Sequence, residues 1–119
     1  MLIPASDDVS AVLTSALDGL SLRQRVIADN VANIDTPNFT ATTIDFESAL
    51  RSAVADGEVA GRQITPTTGI SATPVGPNGN NVDLQTETVA AMQSVFQYQL
   101  LTRAVGDRFS LVTTAIGGM

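Results

Sequence analysis

Apolar residues recur at heptad spacing near both ends of this 119-residue chain and nowhere between. Near the start they fall at Val9, Leu13, Leu17, Leu20, Ile27, Val31 and Ile34, with Gln24 in the vacant place. From Leu13 onward the gaps alternate between four and three residues. That rhythm keeps one stripe of a helix facing a single partner, so it predicts a helix over residues 8–35, roughly 40 Å long. Ser6 or Asp7 offers a side-chain oxygen to the free N–H groups of the first turn. Pro37 ends the helix, because it lacks an N–H and pushes Thr36 out of the helical region.

A second helix is predicted over residues 83–116, with Asp83 as its cap and Gly117-Gly118 as its stop. It carries two adjacent seams. One runs through Met92, Val95, Gln99, Thr102, Gly106, Phe109, Thr113 and Ile116, the other through Leu101, Val105, Arg108, Val112 and Ala115. The expected fold is mainly α: two long terminal helices forming an antiparallel coiled-coil pair within a single domain spanning 1–119. Such a pair covers one stripe of each helix. The seam through Leu101, Val105 and Val112 is then expected to face outward, and a long exposed apolar face marks an association surface. The candidate assembly interface comprises Leu13, Leu17, Leu20, Ile27, Asn30, Asn33, Phe96, Leu101, Val105, Phe109 and Val112.

Residues 36–82 have a different character. Asp45 to Ala55 has the pattern of a short helix ended by Gly57, and Glu58 to Thr65 that of a strand. Pro66 to Asn81 is rich in Thr, Gly, Pro and Asn, with Ile70 and Val75 as its large apolar residues. It has too little apolar surface to offset its ordering entropy alone, so a flexible loop or β-hairpin is expected there.

Composition narrows the chemistry. There is no His, no Cys and no Lys, and 12 acidic residues stand against 6 Arg for a net charge of −6. Thiol and imidazole catalysis, disulfides and most zinc or copper sites are therefore excluded, and no cofactor or metal is expected. The acidic balance opposes nucleic-acid binding. No basic residue precedes Arg23, so a cleaved secretion signal is not expected, and the longest apolar uncharged run, Thr88–Thr102, is too short and polar for membrane insertion. Asp45 and Glu47 form a carboxylate pair without an aromatic sugar platform, and Asp45 reads more simply as a helix cap. Gly76-Pro77-Asn78-Gly79-Asn80-Asn81 lacks the Lys and Ser/Thr of a phosphate loop and reads as a turn cluster. Arg23 and Arg25 lie at helical neighbour spacing from Asp18 and Asp29, the pattern of a solvated paired face. No enzyme reading survives.

Asn30 and Asn33 share a helix face in positions where helix propensity is poor. Either the helix end frays, or these amides bond to the following turn or to a neighbouring chain. The run Ala28-Asp29-Asn30-Val31-Ala32-Asn33-Ile34-Asp35-Thr36-Pro37-Asn38-Phe39 resembles the N-terminal signature of bacterial flagellar rod and hook proteins, with Thr36, Pro37, Asn38 and Phe39 as its signature turn. Asn38 stands where that family usually has Gly, and Asn tolerates a left-handed turn better than most residues. Gly79-Asn80-Asn81-Val82-Asp83-Leu84-Gln85-Thr86-Glu87, followed by Tyr98-Gln99, is similar to the second signature of the proximal rod type, the FlgB family; Ser94 stands where an Asn is common. The resemblance implies a structural subunit of the periplasmic rod of the flagellar basal body. Such a subunit is exported unfolded without a cleaved signal peptide and polymerises through its terminal helices to transmit torque. Its implied partners are further copies of itself, other rod proteins, the rod-base adaptor FliE and the flagellar export gate. Another rod protein of the same class, the FlgC type, and an unrelated small coiled-coil adaptor are the rival readings.

Overall fold

The computed structural model describes residues 4–57 and 64–117, excluding the side chains of residues 4–8, 109, 112 and 115. Its elements in chain order are α1 (Pro4–Ala32), β1 (Thr42–Asp45), α2 (Glu47–Asp56), β2 (Thr67–Ile70) and α3 (Leu84–Gly117). The two long helices pack antiparallel, with Asn30 near the end of α1 meeting Glu87 near the start of α3. The molecule is a rod in shape, 66 × 27 × 15 Å. Among the described residues no helix is long and apolar enough to cross a membrane.

The first helix begins earlier than expected, at Pro4 rather than near Asp8, and ends at Ala32 rather than Asp35. Proline suits a first helical position because its missing N–H would have no partner there. Residues 33–37 are a series of tight turns: Asn33 N–H donates to Asp29 O and Asn30 O, and Thr36 N–H donates to Asn33 O. At the other end Asp83 caps α3 as expected. Its carboxylate accepts from Gln85 N–H at 3.0 Å and from the Thr86 hydroxyl at 2.9 Å.

The middle segment contains the expected short helix, α2, closed by Gly57 in the left-handed conformation. Asp45 sits one residue before its formal cap position but still accepts from Ser48 N–H at 3.0 Å. The strand expected at Glu58–Thr65 falls mostly outside the described residues, and Ile64 and Thr65 are not strand. Instead β2 begins at Thr67 and pairs antiparallel with β1, Thr42 opposite Ile70 and Asp45 opposite Thr67. Ser71 N–H extends the ladder to Ala41 O.

The core lies between α1 and the β1–α2 junction. Ala16, Leu20, Ile44 and Phe46 form its buried cluster, with Leu22, Val26, Leu50 and Leu101 packed around it. Leu20 is 1% exposed. The Phe46 ring lies directly on the α1 backbone at Gly19, where an added Cβ would collide with three ring carbons.

The buried side of α3 differs from the sequence reading. Glu87 and Ser94 are buried, Ala91 is half-buried, and Leu101 packs against the core. These residues continue the seam of Leu101, Val105 and Arg108 toward the N-terminus of α3. The seam expected to face outward is therefore covered from Glu87 to Leu101, and it opens at Val105, which is 37% exposed. The other seam is outside: Met92, Val95, Gln99, Thr102 and Gly106 are all exposed.

Candidate functional site

Two features stand apart from ordinary packing: a cluster of buried carboxamides where the chain crosses between its long helices, and the open stripe on α3. The cluster starts with Asn30, 1% exposed on the last turns of α1. Its Nδ2 donates to Thr42 O at 2.9 Å and its Oδ1 accepts from Thr42 N–H at 3.1 Å. The side chain thus pairs with β1 as a neighbouring strand would. The same Nδ2 donates to Glu87 Oε1 at 3.2 Å, which links the turn to α3.

Asn80 closes the end of α1 from far along the sequence. Its Nδ2 donates to Asn33 O at 2.7 Å and to Thr36 O at 2.8 Å, while its Oδ1 accepts from Val82 N–H at 2.7 Å. Both carbonyls belong to the turns just past Ala32, so this amide acts as a remote cap on the α1 exit. Asn81 does the same for the strands. Its Oδ1 accepts from Ala41 N–H at 2.6 Å and its Nδ2 donates to Ser71 O and Thr73 O, both at 3.2 Å.

The signature turn meets the second signature through its backbone. Asn38 adopts φ 61°, so it takes the left-handed conformation for which Gly is usual, and its N–H donates to Asn78 O at 2.9 Å. Opposite it, Gly79 has φ 77°, and a Cβ there would fall on Asn38 Oδ1. Pro66–Asn81 is therefore only in part the expected hairpin. Its second half is ordered by amides that bond the backbone instead of by apolar burial. Asn33 has a local role: its Nδ2 donates to Asp29 O and its Oδ1 accepts from the Thr36 hydroxyl.

Arg23 corrects another expectation. It is not paired on a solvated helix face but reaches Glu47, with Nη1 to Oε2 at 2.8 Å and Nη2 to Oε1 at 2.6 Å. Nη2 also donates to Ile44 O at 2.7 Å, and the guanidinium stands 4.8 Å from the centroid of the Phe46 ring. These bonds hold the Glu47 carboxyl below its ordinary value of 4.5. Hydrogen bonds from Ser48 likewise lower Asp45. A carboxyl depressed in the folded state stabilises it above the unfolded value, and that contribution is lost as pH falls through the folded value. Glu47→Gln should accordingly lower the urea midpoint at neutral pH, and the gap from wild type should close as pH drops below 4.5.

The open stripe is apolar. Met92, Val95 and Phe96 line a shallow groove with Ala91 and Gln99, and Phe96 is 61% exposed. Of the candidate interface residues, Leu20, Ile27 and Asn30 are buried within the chain, and Leu13, Leu17, Asn33 and Leu101 are half-buried. Val105 is on the margin of exposure and Phe96 is open. The side chains of Phe109 and Val112 lie outside the described set. In the signature turn, Thr36, Pro37 and Asn38 are exposed and Phe39 is half-buried. Sequence reasoning missed Asn80, Asn81 and Glu87 as site residues. Their signal was the tight spacing of polar residues across the capped start of α3. Among the described residues no group of His, Cys, Asp or Glu side chains is placed to hold a metal ion.

An elongated helical pair, closed at its crossing by polar signature residues and open along one apolar stripe, is the build of an assembly subunit. The family described as "Flagella basal body rod protein" matches residues 11–40, which cover most of α1 and the signature turn. The chain is similar to the flagellar basal body rod protein FlgB of Borreliella burgdorferi, 33% identical with 84% of this chain and 89% of the relative aligned. It is also similar to FlgB of Bacillus subtilis (30% identical; 89% and 91% covered) and of Escherichia coli (31% identical; 86% and 90% covered). The chain belongs to the FlgB family of flagellar basal body rod proteins.

Proposed function

We propose that this chain is a non-enzymatic rod subunit that completes its amide cluster within one molecule and polymerises through the open stripe of α3. The observation that supports this is the run of Met92, Val95 and Phe96, exposed on a helix whose other side is covered by α1. A patch of that kind gains free energy only when another surface removes it from water. The rod subunit transmits torque because its long helices interlock with neighbours along the rod axis. In this reading its location is the periplasmic part of the basal body, reached by export without a cleaved signal peptide. Its neighbours there are further copies, other rod proteins, the adaptor FliE and the export gate. Of the candidate contacts, Phe96 lies on that stripe, whereas Leu101 packs against the core of its own chain.

Phe96→Asp tests the proposal. The side chain is exposed in the free subunit, so the single chain should fold and be exported normally. Between subunits the change would bury a carboxylate without a partner, at a cost of roughly several kcal/mol. The expected result is protein outside the cytoplasm but no swimming. Normal motility would remove the α3 stripe from the assembly interface.

A further inference from the structure

Of the six asparagines, Asn78 alone is followed by glycine, and it is exposed at the tip of the turn facing Asn38. The residue after an asparagine controls whether its own amide nitrogen can reach the side-chain carbonyl carbon, and glycine presents no side chain against that approach. We propose that Asn78 is the chain's spontaneous deamidation site, that the folded turn suppresses the reaction, and that the isoaspartate it yields opens the turn.

The chemistry needs only water. The Gly79 backbone nitrogen, losing its proton to hydroxide, attacks Asn78 Cγ and forms a five-membered succinimide. The Cγ–Nδ2 bond breaks and the side-chain nitrogen leaves as ammonia. Water then opens either carbonyl of the ring, giving aspartate or isoaspartate with no net oxidation or reduction.

Three bonds of the folded turn stand in the way. Gly79 N–H donates to Gly76 O at 3.0 Å, so the nucleophile is occupied. Asn78 Oδ1 accepts from Asn80 N–H at 3.1 Å, which pins the electrophilic carboxamide. Asn78 O accepts from Asn38 N–H at 2.9 Å, which fixes the backbone on which the ring must close. Isoaspartate would then insert a methylene into the main chain beside that last bond. The strand of chain carrying Asn80 and Asn81 would shift relative to the α1 exit, and the remote cap would be lost. The reaction therefore favours chains that are unfolded, and its isoaspartate product cannot recover the cap.

The test follows conversion by the mass gain of amide to acid, with the site assigned by peptide mapping, in the full chain held at mildly alkaline pH. Three samples are compared: the folded chain, the chain unfolded in urea, and the unfolded Asn78→Gln chain. Opening at least two hydrogen bonds of ordinary net strength should slow the folded chain by roughly ten-fold or more. Asn78→Gln should remove the fast phase in urea. A second comparison uses wild-type chain that was first modified in urea and then refolded, read by its urea midpoint against unmodified refolded chain. The modified chain should unfold at lower urea. Equal rates in folded and unfolded chain, fast conversion at another asparagine, or an unchanged midpoint after modification would each overturn the proposal.

Discussion

Replacing Asn80 with Ala should lower the stability of the folded chain by roughly 2–4 kcal/mol, measured as a shift in the urea midpoint at unchanged slope. The change orphans the Val82 N–H and removes the shared donor from Asn33 O and Thr36 O. For a chain this small that is a large share of the total. Asn80→Asp separates the two halves of the amide. It keeps the acceptor for Val82 but sets carboxylate oxygens against two carbonyls, so it should destabilise at least as much as Ala. Were the residue merely part of an irregular loop, both variants would behave like wild type.

The second large effect has a sign opposite to what helix propensity suggests. Gly19 lies inside α1, where Ala is ordinarily better than Gly by about 1 kcal/mol. Here the Phe46 ring occupies the space of the missing Cβ. Gly19→Ala must displace a buried aromatic ring, a strain of about 1–3 kcal/mol, along with the guanidinium of Arg23 resting over it. A lower urea midpoint is expected. Gly19→Ala with Phe46→Leu should recover part of the loss, because the shorter side chain relieves the overlap. A stabilised single variant would show that the ring does not sit on the α1 backbone.

Both long helices were legible because their periodicity extends over many turns, and caps such as Asp83 and Gly57 announce themselves by residue type. What failed was the choice of seam on α3. Hydrophobicity favours the seam of Met92 and Val95 as the buried side, yet the covered residues are Glu87, Ala91 and Ser94. Small and polar residues let the helices approach and let Glu87 reach the Asn30 amide; the hydroxyl of Ser94 is buried there with no hydrogen-bond partner among the described residues. Arg23 was misread for a related reason. Neighbour spacing along a helix suggests a local ion pair, whereas a bidentate partner on α2 offers two parallel bonds plus an aromatic face. The strands were obscured because Thr67–Ile70 is only four residues long and mostly exposed, which leaves little alternation to detect. Asn30 and Asn33 could be singled out as amides needing partners. The partner of the α1 exit, Asn80, lies 47 residues from Asn33, and no local pattern links them.

The chain's lack of cysteine provides the most direct test of the central claim, that the outward stripe of α3 is where one subunit meets the next. A single Phe96→Cys substitution introduces a unique thiol on that stripe, and Thr43→Cys places one on the exposed face of β1 as a reference. Labelling with a maleimide should be rapid at both positions in the isolated chain. In purified basal bodies the Phe96→Cys thiol should be protected while the isolated chain still reacts, a loss of labelling confined to assembly. Equal labelling of Phe96→Cys in the isolated chain and in the assembled rod would contradict the account.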